Sequence, residues 1–411
     1  MAIIINKPYI EKLQNGKVRL CSKIEGSIND VLYYEVDEKY EQYLCDDRVD
    51  AFLTGLLNYA MYAKEDICCK GDITGDLLFQ LRVYYIPILA QNNKDLHNIS
   101  ISGTEAYAPI ENANGVGTGN SGGVDSLYTI LKYNKAEMGE NRLTHLLFNN
   151  ISTGDNEEER IRALFERDCE EKKKIADELD LEFVSLYTNL FSLYSPPGLF
   201  NMYYTAQYVS AAYSLAKLFK TFYFSSAYPV EEFSLSMTVV NKSHDSACYD
   251  LFSLECLSSR HLKLYSAGME ESRVEKVRYI ADNPIVQRHL QVCAIEQDAG
   301  NQVQLSSLNC GCCRKCRRTI LQLYAFGKLD AFENVFDLSA FRSNTGKYVG
   351  KGLAADYPAF SRGIKVALKK DGKMPSNEWI WERLYRVRYF LSKNKSLVAF
   401  YHKLKKTRKQ L

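Results

Sequence analysis

Between Gly117 and Tyr133 the chain reads GTGNSGGVDSLYTILKY, so Gly117, Gly119, Gly122 and Gly123 stand directly before an apolar run with helical spacing. Adjacent glycines let the amides of Gly122, Gly123 and Val124 turn inward as an anion-binding nest. A helix starting near Asp125 points its positive end at the same spot. Ser121 and Ser126 add hydroxyl donors. Asp125 would repel a bare polyphosphate, and its presence is explained if it holds Mg2+ directly or through water. Polyphosphate chemistry is what this stretch could perform.

A second group lies far downstream. Cys310, Cys313 and Cys316, within NCGCCRKC, form C-x2-C-x2-C, a spacing that lets thiolates converge from one tight knuckle onto a tetrahedral ion. Three ligands leave one vacancy, and Cys293 is the nearest upstream thiol. A structural Zn2+ held by Cys293, Cys310, Cys313 and Cys316 is therefore expected, with Cys312 a bystander whose side chain points away. Arg314, Lys315, Arg317 and Arg318 would offset the excess negative charge of four thiolates on a divalent ion. Reactive cysteines remain the alternative chemistry.

Elements must position both groups. Short apolar runs at THLLFNN, LEFVSLYTNL and KTFYFSSAYP read as buried strands, and NEEERIRALFERDCEEKKKIADEL and NMYYTAQYVSAAYSLAKLF read as the helices between them. Such alternation implies α/β architecture with a parallel sheet and covering helices. The residues before the glycine loop read as polar, and a boundary is expected near Tyr107. Ahead of it, AIIINKPYI, KVRLCSKI and DVLYYEV read as strands, with two amphipathic helices after them. Three segments follow from this pattern: a small α+β domain over 1–106, a nucleotide-binding domain with the zinc knuckle over 107–340, and a basic helical extension over 341–411.

Composition bounds the function classes. The 411 residues are 46% hydrophobic and 25% charged, ordinary for a globular chain of two or three domains. No apolar run approaches the roughly 18 residues that cross a bilayer, and the first residues do not resemble a signal peptide. A cytoplasmic protein is expected, since twelve cysteines in so long a chain suit metal or thiol chemistry better than a disulfide scaffold. The net charge of +2 is uneven. Residues 361–411 hold a large basic excess, interleaved with Trp379, Trp381, Tyr385, Tyr389 and Phe390, and helical spacing places these aromatics in a core. The charge there could meet nucleic acid or an acidic protein.

Other readings of the glycine loop fit less well. GTGNSG matches G-x-G-x-x-G, but no clear apolar strand precedes it and the second strand ends in Asn149 and Asn150 rather than an acid. A Walker A sequence is absent. The six residues SGGVDS instead resemble the signature of the PP-loop, or N-type ATP pyrophosphatase, superfamily. That resemblance implies an open parallel sheet with helices on both faces, of the HUP/PP-loop type, and a loop of Ser121, Gly122, Gly123 and Val124 that grips the β,γ-phosphates of ATP. It implies ATP and Mg2+ as cofactors, adenylation of a carboxylate, carbonyl or amide oxygen, and release of pyrophosphate. It also places adenine near Phe148 and Asn149, with Tyr187 to Asn189 a second candidate.

Joined to the cysteine pattern, the chain resembles the 7-cyano-7-deazaguanine synthase group over about residues 115–325, most closely in SGGVDS, RVEKVRYIADNP and NCGCCRKCRRT. The family lysine falls on Lys276, a cation for the phosphates or the adenylate, so Asp125, Ser126, Arg273 and Lys276 are the expected catalytic residues. Glu270 and Glu271 read as a solvated face. The chain departs from the group at SSAYPVEEF, which keeps Tyr228 and Pro229 of a Tyr-Pro-Asp-Cys-Arg stretch and loses the rest, and in its first domain and basic tail. The same chemistry on a different acceptor is implied, with Tyr228, His244 and Asp245 near the acceptor loop. A thiolation enzyme using Cys312 or Cys313 and a non-catalytic nucleotide-binding subunit are the competing readings. The partners expected are an unnamed acceptor and, as a further candidate, a second copy in a homodimer.

Overall fold

The computed structural model describes residues 2–151, 158–194, 200–236, 245–293, 307–355 and 358–393. The chain divides into two units, Met1–Ser272 and Arg273–Leu411. His244 and the end of the basic tail lie outside the described residues.

In the first unit the β-branched and aromatic runs of the sequence become strands: β1 (Ala2–Ile5), β2 (Tyr9–Lys12), β3 (Lys17–Glu25), β4 (Asp30–Asp37), β5 (Asp66–Cys69), β6 (Ile73–Thr74), β7 (Ile101–Ser102), β8 (Glu105–Ala106), β9 (Gly115–Gly119), β10 (His145–Asn149), β11 (Glu182–Thr188), β12 (Phe219–Ser225) and β13 (Lys263–Ala267). Among the described residues, eleven of them form one sheet in the order β13-β12-β9-β10-β11-β4-β3-β1-β5-β7, with β2 beside β3; β6 and β8 pair separately. The fold is α/β. From β11 to β13 all neighbours are parallel, and in chain order these strands run third, second, first, fourth, fifth, the doubly wound arrangement. Helices such as Val124–Tyr133, Glu158–Glu178 and Phe200–Ser214 make the crossovers.

The sheet does not stop near Tyr107. β4 pairs antiparallel with β11, Tyr187 opposite Glu35 and Thr188 opposite Tyr34. Glu35 is the buried staple of this seam, bound by Arg19 at 2.8 Å and by Arg162 at 2.8 Å. Burial alone would raise its carboxyl, but the Arg162 and Arg19 guanidiniums hold it below the usual glutamate value. Each guanidinium also lies 4.0 Å over a ring, Arg19 over Tyr33 and Arg162 over Tyr187. One sheet thus draws strands from both sides of residue 107, where the sequence suggests a boundary.

A second difference concerns the residues before the glycine loop, which sequence reads as polar and which form β9, the first strand of the parallel half. Packing requires two of its glycines, Gly115, whose Cβ would meet Leu218 O at 2.8 Å, and Gly117. A Cβ on Gly117 would meet the rings of Phe219 and Phe222 at 2.7 and 2.8 Å, so the apolar surface that marks most buried strands is supplied by the neighbouring strand.

The second unit is helical over its described residues, comprising Arg273–Ile280, Pro284–His289, Arg314–Ala325, Ser339–Ser343, Thr345–Ala355, Pro358–Lys370 and Glu378–Lys393. Ile320, Leu321, Phe332, Phe336, Val349, Leu353, Ile364 and Leu368 are buried in it. Glu378–Lys393 lies close against Thr345–Ala355 because Gly350 has no side chain; a Cβ there would meet the Glu382 nitrogen at 2.6 Å. Among the described residues Trp379, Tyr389 and Phe390 are exposed and Trp381 and Tyr385 half-buried, against the expectation that the aromatics are core. Among the described residues no helix is long and apolar enough to cross a membrane.

Candidate functional site

In a doubly wound sheet, loops at the carboxyl ends of the strands beside the reversal of strand order are where ligands bind. The glycine loop occupies that position: β9 lies between β10 and β12, ends at Gly119, and is followed within four residues by the Val124–Tyr133 helix with Gly123 as its N-cap. Gly122 has φ +70°, the left-handed region that favours glycine. Asn120 anchors the entry, its amide donating to Leu147 O at 2.8 Å and its side chain to Lys172 O at 3.0 Å.

Both serines brace the loop. Ser126 Oγ donates to Gly119 O at 2.8 Å and accepts the Ser121 amide at 3.2 Å. Ser121 Oγ accepts the Gly123 amide at 3.3 Å. Ser126 is therefore placed to shape the turn, while Ser121 is exposed. Val124 and Asp125 stand in the first helical turn, Val124 buried and Asp125 half-buried, where backbone amides have no intrahelical acceptor and the helix dipole favours an anion.

Sequence reasoning missed Lys172. This lysine sits on the Glu158–Glu178 helix and is only 3% exposed. A Cβ on Gly122 would lie 2.5 Å from its Nζ, so the ammonium occupies the space left by the missing side chain of the left-handed glycine. Burial pulls its pKa down to about 8, opposed by the charges of Asp168 and Glu171. Its charged neighbours in sequence disguise it as part of a solvated helix face.

At the end of β10, Phe148 is half-buried with its ring stacked on Phe165 at 5.4 Å, and buried Asn149 accepts the Ile151 amide at 3.2 Å. Asn150 extends the strand by proxy, accepting from Thr188 N and donating to Thr188 O, both at 2.8 Å. The second candidate for adenine is committed elsewhere. Asn189 accepts the Tyr33 amide at 3.1 Å and donates to Val31 O at 2.9 Å. Glu270, read as solvated, is held by Lys132 and by Tyr128 Oη at 2.9 Å. Tyr228 is buried and, with Tyr204, donates to Asp245, each at 3.2 Å. Burial raises the Asp245 carboxyl, against the Ala247 amide and these two hydroxyls.

Arg273 and Lys276 belong to the second unit, on the Arg273–Ile280 helix. Lys276 is fully buried, and Arg273 and Arg318 both lie over the Phe360 ring, at 5.7 and 3.7 Å. Arg318 is thus a packing residue as well as a charge.

The same unit holds the candidate metal centre. The sulfurs of Cys293, Cys310, Cys313 and Cys316 all lie within 4.8 Å of one another. Zn–S bonds of about 2.3 Å in a tetrahedron put sulfurs about 3.8 Å apart, and Cys310 and Cys316 are 3.8 Å apart. Amides support the sulfurs: Cys313 N donates to Cys310 Sγ at 3.3 Å and Cys316 N to Cys313 Sγ at 3.3 Å. The knuckle turns at Gly311, φ +64°, where a Cβ would collide with Asp337 O at 1.7 Å. Without a cation, hydrogen bonding to Cys293 and Cys313 pushes the Cys316 thiol far above its usual value. The donor set and spacing fit zinc. Cys312 is exposed and outside the quartet, although its sulfur is 3.6 Å from that of Cys310 rather than directed away.

A further residue missed from sequence is Asn309, fully buried among these ligands. Its side chain accepts the amides of Val292 at 2.7 Å and Cys293 at 3.0 Å and donates to Leu290 O at 2.7 Å and Val335 O at 2.8 Å. Its hydrogen bonds join the Leu290–Cys293 segment to the knuckle and to Val335.

Comparison of the chain with protein-family models, curated proteins and solved structures finds no match.

Proposed function

We propose that the chain is an ATP-dependent, AMP-forming enzyme of the PP-loop type, with a HUP-like nucleotide-binding sheet and chemistry like that of the 7-cyano-7-deazaguanine synthase group. The carrying observation is the position of Ser121–Ser126 between the end of β9 and a helix N-terminus at the strand-order reversal. Loop amides and the helix end receive the β,γ-phosphates. Asp125 holds the Mg2+ ion that accompanies them, Ser126 keeps the turn in shape, and the end of β10 at Phe148 and Asn149 takes adenine.

An acceptor carboxylate or amide oxygen attacks the α-phosphorus, the P–O bond to the β-phosphate breaks, and pyrophosphate leaves into the loop. A nitrogen nucleophile then forms a bond to the activated carbon and expels AMP. The loop contributes positioning and charge stabilisation, which act on turnover more than on folding. Zn2+ at Cys293, Cys310, Cys313 and Cys316 supplies structural cross-linking.

The test is ATP–pyrophosphate exchange, screened against deazapurine carboxylates, nucleotides and carrier proteins. Acceptor-dependent exchange that falls by roughly a hundredfold in Asp125→Ala, with an unchanged melting temperature, supports the assignment. AMP and pyrophosphate released by that variant at the parental rate would sink it. ATP that is bound but not consumed, whichever acceptor is added, would move the chain to the nucleotide-binding subunit reading.

A further inference from the structure

The loop reading accounts for the amides and for Asp125 but not for the lysine buried behind them. Lys172 is held there by construction. Its helix backbone is tied to the loop entry by Asn120 Nδ2 on Lys172 O at 3.0 Å, and its Nζ fills the Cβ space of Gly122. Two features that are each costly coincide at one point: a left-handed backbone that favours glycine, and an ammonium that is 3% exposed. The charges of Asp168 and Glu171 on the same helix oppose the cost of that burial. A methionine or leucine would fill the same volume without the desolvation cost, so packing does not require the charge.

We propose that Lys172 is a positioning residue for the phosphate loop, a fixed cation beneath Gly122 that sets the affinity of Ser121–Ser126 for pyrophosphate and for the terminal phosphates of a nucleoside triphosphate. The inference rests on the loop reading given above. The lysine acts through the turn: it holds the Gly122 peptide with its amide toward the ligand and adds positive potential where a polyanion arrives, in surroundings too dry to screen it.

The experiment is calorimetric titration of the full chain with magnesium pyrophosphate, ATP and AMP, for the wild type, Lys172→Met, Lys172→Gln and Lys172→Arg. The expected result is pyrophosphate and ATP binding weakened about tenfold or more in whichever uncharged variant folds, partial recovery in Lys172→Arg, and AMP affinity within about twofold of wild type. A purely structural role would weaken AMP along with ATP, and that outcome overturns the inference. Wild-type affinity for pyrophosphate in a folded Lys172→Met overturns it while leaving the loop reading intact. A wild type that binds neither pyrophosphate nor ATP overturns both.

Discussion

Asn309 accepts the Cys293 amide at 3.0 Å from sixteen positions along the chain, and so fixes the fourth sulfur of the quartet to the knuckle that carries the other three. Asn309→Ala would strip partners from the buried Val292 amide, the half-buried Cys293 amide and two carbonyls. Each buried group left unsatisfied costs about 1–3 kcal/mol, so a loss of at least ~3 kcal/mol is expected in denaturant unfolding. Metal content measured by atomic emission should fall in parallel. Unchanged metal content in a folded variant would show that Cys293 needs no such tether.

The quartet should hold one zinc ion per chain. Serine at Cys293 or Cys316 should abolish retention through gel filtration, while Cys312→Ser should keep the full equivalent. Because hydrogen bonding to Cys293 and Cys313 keeps the Cys316 thiol protonated without a cation, zinc uptake should release protons and weaken as pH falls. Proton release measured in two buffers of different ionisation enthalpy checks this.

Two glycines of the loop region should respond differently to alanine. Gly119 has open space at its Cβ position, and Gly119→Ala should shift stability by no more than ~0.5 kcal/mol. Gly122→Ala combines a left-handed backbone, worth about 1–2 kcal/mol, with a 2.5 Å approach to Lys172 Nζ. Its melting temperature should fall and its ATP binding vanish. Equal melting temperatures for the two variants would rule out the close packing of lysine and loop.

Lys172 makes stability depend on pH with a definite sign. Burial lowers its folded pKa to about 8, below the unfolded value of about 10.4, so its protonation favours the unfolded chain. Below pH 8 the wild type carries the full penalty, of order 3 kcal/mol. As pH rises from 8 towards 10.4 that penalty disappears. Lys172→Met should therefore be more stable than wild type at neutral pH, with the difference closing over this window. Chemical denaturation of both proteins at pH 7 and pH 10 tests it, and a constant difference would contradict the buried charge.

Much was legible locally. The apolar runs at 144–150 and 181–190 contain β10 and β11, and 220–229 takes in all of β12 but Phe219, since a buried parallel strand must be apolar on both faces. The cysteines named from their spacing are the four whose sulfurs converge. β9 escaped notice because its space is filled from outside by Phe219 and Phe222. The aromatics of Glu378–Lys393 were misplaced because helical spacing says which residues share a face, not whether anything covers it.

The sequence by itself determined what depends on covalent neighbours: paired glycines before a helix, a cysteine knuckle, and strand and helix periods. Tertiary structure alone decided that β4 continues the sheet at β11, that Lys172 lies under Gly122, and that Asn309 carries Cys293. Each of these joins segments distant in the chain. Such contacts depend on where whole elements pack, which no short window of residues encodes.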